Sequence, residues 1–454
     1  MPYIFILYLF VFSLGFLVYL RMPQMFFVYW LSVPAFIIPL FFFLFRPSYI
    51  GEQTFDTFYW GYLTPMSYLL IVISYLEYVK YREFSFYNLL KPLIVFAFFF
   101  VIQNILTGFS LSPLVCNFRE ILFLMMPTVI LSMSPTLRPD RKVIIHFIFL
   151  FIIIQTFFCI INTLGFSLYS NFADDTSFAD DLFSGTFLRY NHLTNYLTTM
   201  YLILSIEYFI NNAIPKYVFI PISILLGAII LMSGARISVV LFFLILGLCL
   251  FFFRGRNIIL ITALATVFMF GVYLFSSKYD VGTENADSGS GLERNVTGLV
   301  DLFSSMDTDD NTLSLSAFLL LTNFHNPIFG NGYAFRNTLE YDISESMNEE
   351  VIKTDARLAY MLVEYGLIGF LCFIYFFYAI FKTNINQFKI KNRKMWIVII
   401  TYFVLFTFTE TGLFDLMQLS MISIFCFSKE SIEIEEQESR DRYIGNFQDE
   451  LEKT

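Results

Sequence analysis

The chain has 454 residues, of which 57% are hydrophobic and only 14% charged, with a net charge of −9. A soluble domain carries roughly 25% charged residues, so the composition excludes a chain of this length folded as several water-facing domains, and the acidic balance does not point to nucleic acid as a partner. Bilayer hydrocarbon solvates such a surface, and the 60 Phe and 28 Tyr suit interhelical packing and interfacial belts.

A bilayer crossing needs about 20 mostly apolar residues. In chain order, apolar runs at 3–20, 25–45, 57–79, 92–108, 116–134, 143–164, 192–210, 217–233, 237–253 and 257–275 predict spans. The first run lacks a basic start and a small-residue cleavage site, so it reads as a span and not as a signal peptide. A polar stretch follows over 276–356, Ser/Asp/Gly-rich at first, with an apolar segment at 313–324 that suits a surface or re-entrant helix. Runs at 358–381, 395–410 and 413–428 complete the series, the last two parted by Thr409-Glu410-Thr411-Gly412. The expected fold is an all-α polytopic integral membrane protein with about 12 or 13 transmembrane helices and one large extracytoplasmic loop. Its parts are an N-terminal bundle (1–275), the loop (276–356), C-terminal helices (357–428) and a polar cytoplasmic tail (429–454). The cysteines, Cys116, Cys159, Cys249, Cys372 and Cys426, lie in or beside apolar runs with no CxxC pair and read as small buried hydrophobes.

Lys and Arg in short loops set the orientation. Lys80, Arg82 and Lys91, then Arg138, Arg141 and Lys142, then Arg254 and Arg256, then Lys382, Lys389, Lys391, Arg393 and Lys394 mark four cytoplasmic loops. That places outside both the 276–356 stretch and the acidic loop around Asp174, Asp175, Asp180 and Asp181, with the C-terminus in the cytoplasm. The side of the N-terminus stays open by one span.

Charged and polar groups inside apolar runs need a partner or a purpose. Four clusters qualify. Arg119 and Glu120 are adjacent and suit mutual neutralisation. Thr186 to Asn195, which includes Arg189, Asn191, His192 and Asn195, enters a span together, either anchored in the headgroups or lining a polar cavity. Ser233-Gly234-Ala235-Arg236-Ile237-Ser238 forms a tight outer turn. Arg236 there presents a fork for phosphate oxygens, those of lipid or of a specific diphosphate, beside the amides of the next helix. The last cluster closes the loop: His325, Asn326, Pro327, Gly330, Gly332 and Tyr333, then Asp355 and Arg357, then Glu364 two helical turns on. Its glycines allow backbone to approach a ligand closely. With 3 histidines and no paired ligand spacing, no metal site is expected. His146, in an apolar run, reads as structural.

The order of these pieces resembles the O-antigen ligase/polymerase superfamily, most closely the Wzy-type polymerases of surface polysaccharide. The resemblance covers roughly 185–428 and rests on TFLRYNHLTNYL (186–197), SGARIS (233–238), NPIFGNGYAF (326–335) and ARLAYMLVEYGLIGFL (356–371). It implies a GT-C-like membrane glycosyltransferase of the bacterial cytoplasmic membrane, facing outward; because arginines can carry the electrostatic work, no cofactor and no divalent metal are expected. Its substrate is an oligosaccharide on undecaprenyl diphosphate, held among membrane lipid, and a chain-length-regulating co-polymerase is left open as a partner.

Ligases of the family carry a histidine at the start of the helix after the large loop. This chain has Asp355-Ala356-Arg357 there, which favours a polymerase over a ligase. Arg236, Arg189 and Arg357, in that order, are the expected diphosphate contacts. Asp355, Glu364 and His325 are alternative bases, and Asn191, Asn195, Ser233, Asn326, Gly330, Gly332 and Tyr333 are expected substrate contacts. A flippase for the same lipid is the alternative from another class, but paired interrupted helices in two related halves are not evident in the sequence.

Overall fold

The structure is a computed structural model. It describes residues 2–45, 63–81, 87–108, 111, 114, 118, 126–163, 185–187, 190–233, 236–252, 326–332, 357–387, 396–402 and 414–429. Among these residues every regular element is helical. The helices are α1 (Pro2–Arg21), α2 (Phe26–Ser32), α3 (Ile38–Phe45), α4 (Leu63–Tyr81), α5 (Tyr87–Leu106), α6 (Arg141–Thr163), α7 (Tyr190–Phe209), α8 (Lys216–Met232), α9 (Arg236–Phe252), α10 (Arg357–Gln387) and α11 (Phe414–Cys426). Shorter helical stretches cover 126–133 and 396–402. Three stretches, Pro23–Phe41, Pro135–Asn162 and Leu362–Thr383, are long and apolar enough to cross a membrane.

The core is largely apolar, but, unlike that of a water-soluble bundle, the outer surface is apolar too. Ile153, Phe157 and Ile160 on α6, and Leu367, Leu371, Ile374 and Tyr378 on α10, follow one helix face each and are exposed. Glu77, Gln103, Gln155, Asn162, Asn195, Glu207 and Gln418 are buried. Water would penalise so much continuous apolar surface; lipid does not. In lipid a helix satisfies its own backbone, which is why apolar, aromatic-rich runs form helices here.

Polar contacts gather the helix ends into two groups. At one end Tyr19 donates to Glu77 (2.7 Å), whose carboxylate also lies 4.0 Å from Lys80. Tyr81 donates to Thr136 (3.3 Å), and the Lys429 amide donates to the Pro139 carbonyl (3.1 Å). Arg141 pairs with the buried Glu207 and lies over the Phe425 ring. These contacts collect the C-terminal ends of α1, α4, α7 and α11 and the N-terminal end of α6. We call this the basic end, for Lys80, Arg138, Arg141, Lys142 and Lys429. Ala213 bonds back to the Glu207 carbonyl, so α8 also starts there. Because Gly15 lies beside Leu69 and Tyr19 beside Glu77, α1 and α4 run parallel.

The opposite end follows from chain reach. Tyr87 comes six residues after Tyr81, a span of at most about 20 Å, whereas a 20-residue helix such as α5 is about 30 Å long. The helix α5 therefore starts at the basic end and finishes away from it. α10 packs antiparallel on α5, with Phe96 against Phe376 (5.8 Å) and Phe100 against Tyr365 (5.5 Å). Arg357, the first residue of α10, thus sits at the far end, as does the start of α9, where Ser238 meets Thr194 near the start of α7.

Two helices depart from regular geometry. The run expected as one span at 25–45 contains a π-turn, Val33–Ile37, in which the Ile38 amide bonds the Val33 carbonyl. Pro34 has no N–H to give, which favours the wider turn. The expected span at 358–381 is longer, Arg357–Gln387, and breaks at Gly366 (φ 64°, ψ −173°), a conformation open essentially to glycine alone. His146 hydrogen-bonds the Lys142 carbonyl (2.7 Å) on an exposed face. Cys159, Cys249 and Cys426 are buried and unpaired.

Candidate functional site at the end remote from the basic loops

The described residues of the four sequence pieces at 186–197, 233–238, 326–335 and 356–371 fall into two packed pairs, both at the far end. In the first pair, α7 carries the 186–197 piece and α9 opens with the 233–238 piece. Ser238 donates to Thr194 (3.1 Å) and to the Asn195 carboxamide oxygen (3.4 Å), all three buried. Thr198 and Thr199 bond back to the carbonyls of Thr194 and Asn195, the usual way a hydroxyl is satisfied inside a helix. Thr199 and Tyr402 share a further hydrogen bond (2.9 Å), and Tyr402 reaches Gln418 of α11 (3.4 Å). The start of the piece is held from α6. Gln155 accepts from the Thr186 amide (2.9 Å) and donates to its hydroxyl (2.6 Å), which in turn lies 2.5 Å from the Ala35 carbonyl inside the π-turn. Asn162 donates to the Gly185 carbonyl (3.2 Å).

In the second pair, the 326–332 loop fills the break in α10. The Asn331 and Gly332 amides donate to the carbonyls of Val363 (2.9 Å) and Glu364 (3.0 Å), which end the upper helical segment. The amides of Leu367 and Ile368, which open the lower one, donate to the Pro327 (2.9 Å) and Ile328 (3.1 Å) carbonyls. The loop thus supplies the partners that the interrupted helix has lost. Only glycine permits this approach. A methyl group on Gly366 would overlap the Gly330 nitrogen, and one on Gly330 would overlap the Glu364 carbonyl. Asn326 closes the turn by accepting from the Phe329 amide (3.2 Å) while its own carbonyl takes the Gly330 amide (2.8 Å). From α5, Gln103 donates to the carbonyls of both Phe329 (2.7 Å) and Glu364 (2.5 Å).

The structure therefore brings Asn326, Gly330, Gly332 and Glu364 into one cluster, and Asn195 into another with the start of α9. Arg236 and Arg357 are the first residues of α9 and α10, and Asn191 is the second of α7. Three residues separate α8 from α9, and Gly234 and Ala235 of the expected tight turn lie outside the described residues; Ser233 donates to the Ile230 carbonyl of its own helix (2.7 Å). Arg189, His325, Tyr333 and Asp355 lie outside the described residues. So do Arg119, Glu120, the acidic loop at 174–181, the span at 257–275, the segment at 313–324, most of the polar stretch and the tail beyond Lys429.

Sequence reasoning did not single out Gln103, Gln155 and Glu207. The signal was available: each is a polar residue within an apolar run and so needs a partner. Among the described residues no three His, Cys, Asp or Glu side chains converge in a way that would hold a metal ion. Compared with protein-family models and with curated proteins, the chain matches none.

Proposed function

We propose that this protein is a polymerase that joins lipid-diphosphate-linked oligosaccharide repeats into surface polysaccharide at the outer face of a bacterial cytoplasmic membrane. One observation carries the reading. Four pieces resembling that family, spread over 186–371, pack as two hydrogen-bonded pairs, one joined through side chains and the other through backbone, at the same end of the helices, away from the basic end. The positive-inside rule assigns the basic end to the cytoplasm, which turns the paired pieces outward. This reading keeps the expected 12 or 13 crossings, and the parallel course of α1 and α4 supports an odd count with the N-terminus outside.

In this reading an acceptor sugar hydroxyl attacks the anomeric carbon of the donor. The new C–O bond forms as the bond to diphosphate breaks, and the hydroxyl proton passes to a base or to the departing diphosphate. Diphosphate leaves readily, so the task is to orient the hydroxyl and to stabilise negative charge on the leaving group. Arg236 and Arg357 stand at helix starts, where backbone amides add to their charge. Glu364, whose position the loop clasp fixes, is a candidate base together with Asp355 and His325.

Arg236→Ala is expected to abolish polymer while protein level and membrane insertion stay normal, and Arg236→Lys is expected to lose most of the activity, since a point charge does not replace a fork. The readout is the length ladder of surface glycan in a host lacking its own copy. A normal ladder from Arg236→Ala ends the assignment of that residue.

A further inference from the structure

The resemblance begins near residue 185 and leaves the first six or so apolar runs without an assigned role. Two of these runs each bury one glutamine: Gln103 on α5 is 2% exposed, and Gln155 on α6 is fully buried. A primary amide in an apolar helix is costly unless its groups are matched. Both are matched, and their partners lie in the recognised pieces, 226 and 261 residues downstream for Gln103 and 31 for Gln155. Gln103 spends its amide hydrogens on two main-chain carbonyls, one on the 326–332 loop and one on α10 beside the break. Gln155 uses both ends, accepting from the Thr186 amide and donating to the Thr186 hydroxyl. Such contacts to backbone fix the position of a segment whatever its side chains do.

We propose that Gln103 and Gln155 are the positioning residues of the site. Gln103 clamps the loop into the broken helix and so sets the helical segment that starts at Arg357. Gln155 clamps the entry to α7. The N-terminal helices thus form the frame on which the outer reacting surface is assembled. This rests on the proposed polymerase reading, because the surface being positioned is the one assigned to it.

The two clamps make opposite demands, which gives the test its sign. Both contacts of Gln103 require a donor, so Gln103→Glu, the same shape with an acceptor facing two carbonyls, fails as badly as Gln103→Leu. One contact of Gln155 requires an acceptor, which Gln155→Glu keeps, so it is milder than Gln155→Leu. Two measurements are made on the full-length chain. Amide hydrogen exchange of purified protein in lipid nanodiscs reads the clamps without any substrate. Gln103→Leu and Gln103→Glu are expected to raise exchange of the Asn331, Gly332, Leu367 and Ile368 amides about tenfold or more, leaving 185–187 unchanged. Gln155→Leu is expected to do so at the Thr186 amide, leaving 326–332 unchanged.

The glycan ladder made by the host's own lipid-linked repeat reads the consequence. Gln103→Leu, Gln103→Glu and Gln155→Leu are expected to shorten or abolish it at normal protein level, with Gln155→Glu retaining longer chains. Unchanged exchange in the Gln103 variants overturns the clamp, and raised exchange with a normal ladder overturns its positioning role. A ladder lost without raised exchange also overturns that role. If the wild-type chain restores no ladder, the polymerase reading fails, and the clamps are then decided by exchange alone.

Discussion

The two ends of the helical array are held by different chemistry. At the basic end charges are paired: Arg141 with Glu207, both buried, Lys80 with the buried Glu77, which also accepts from Tyr19, and on the surface Lys429 with Asp140 at 4.0 Å. At the far end the amides of Gln103, Gln155 and Asn162 hold backbone, and the Ser238 hydroxyl holds the Thr194 and Asn195 side chains. A paired charge fixes one helix against another but introduces a strong local field. An amide fixes a segment with almost none. The contrast teaches that, among the described residues, one end is locked by paired charge and the other is assembled by neutral hydrogen bonds.

The largest effect on stability is expected at the locked end. Arg141→Ala leaves Glu207 buried without its cation, at a cost of about 3–5 kcal/mol, read as a fall in the detergent unfolding midpoint. The double variant Arg141→Met with Glu207→Leu is expected to recover most of the loss, and failure to recover it would show that the pair does more than neutralise itself. Next comes the clasp. Gly366→Ala forces a side chain into a conformation reserved for glycine and into the Gly330 backbone, for about 2–3 kcal/mol, while the midpoint effect of Gly247→Ala, in α9 with open space around it, serves as the helical comparison. The smallest effect is expected in the middle of the array. Tyr402→Phe removes one hydroxyl from the Thr199–Tyr402–Gln418 line and costs about 0.6 kcal/mol, a typical value for such bonds in membranes.

Much of the helical layout was legible in the sequence because an apolar run in lipid has few alternatives to helix. The first span, expected at 3–20, is Pro2–Arg21; the one expected at 192–210 is Tyr190–Phe209. The irregularities were not legible. Nothing local in 25–45 distinguishes a π-turn from a proline kink, and the break at Gly366 is stable only because a loop thirty-odd residues earlier completes it. The glycines of that loop suggest close approach of backbone to a ligand; in the structure the Gly330 and Gly332 backbone approaches the main chain of α10. Asn195, expected to touch substrate, has its carboxamide oxygen bonded to Ser238 within the helix packing. Pairings such as Gln103 with Phe329 or Arg141 with Glu207 join residues 226 and 66 positions apart, and only the folded arrangement selects them.

The most direct test of the proposed polymerase is deletion of the gene in its host, followed by analysis of glycan on both the final acceptor and the carrier lipid. The account predicts single repeat units on the acceptor, no long chains on the carrier, and a ladder restored by the wild-type gene. An unchanged ladder, or long polymer accumulating on the carrier lipid as a ligase defect would leave it, would contradict the account.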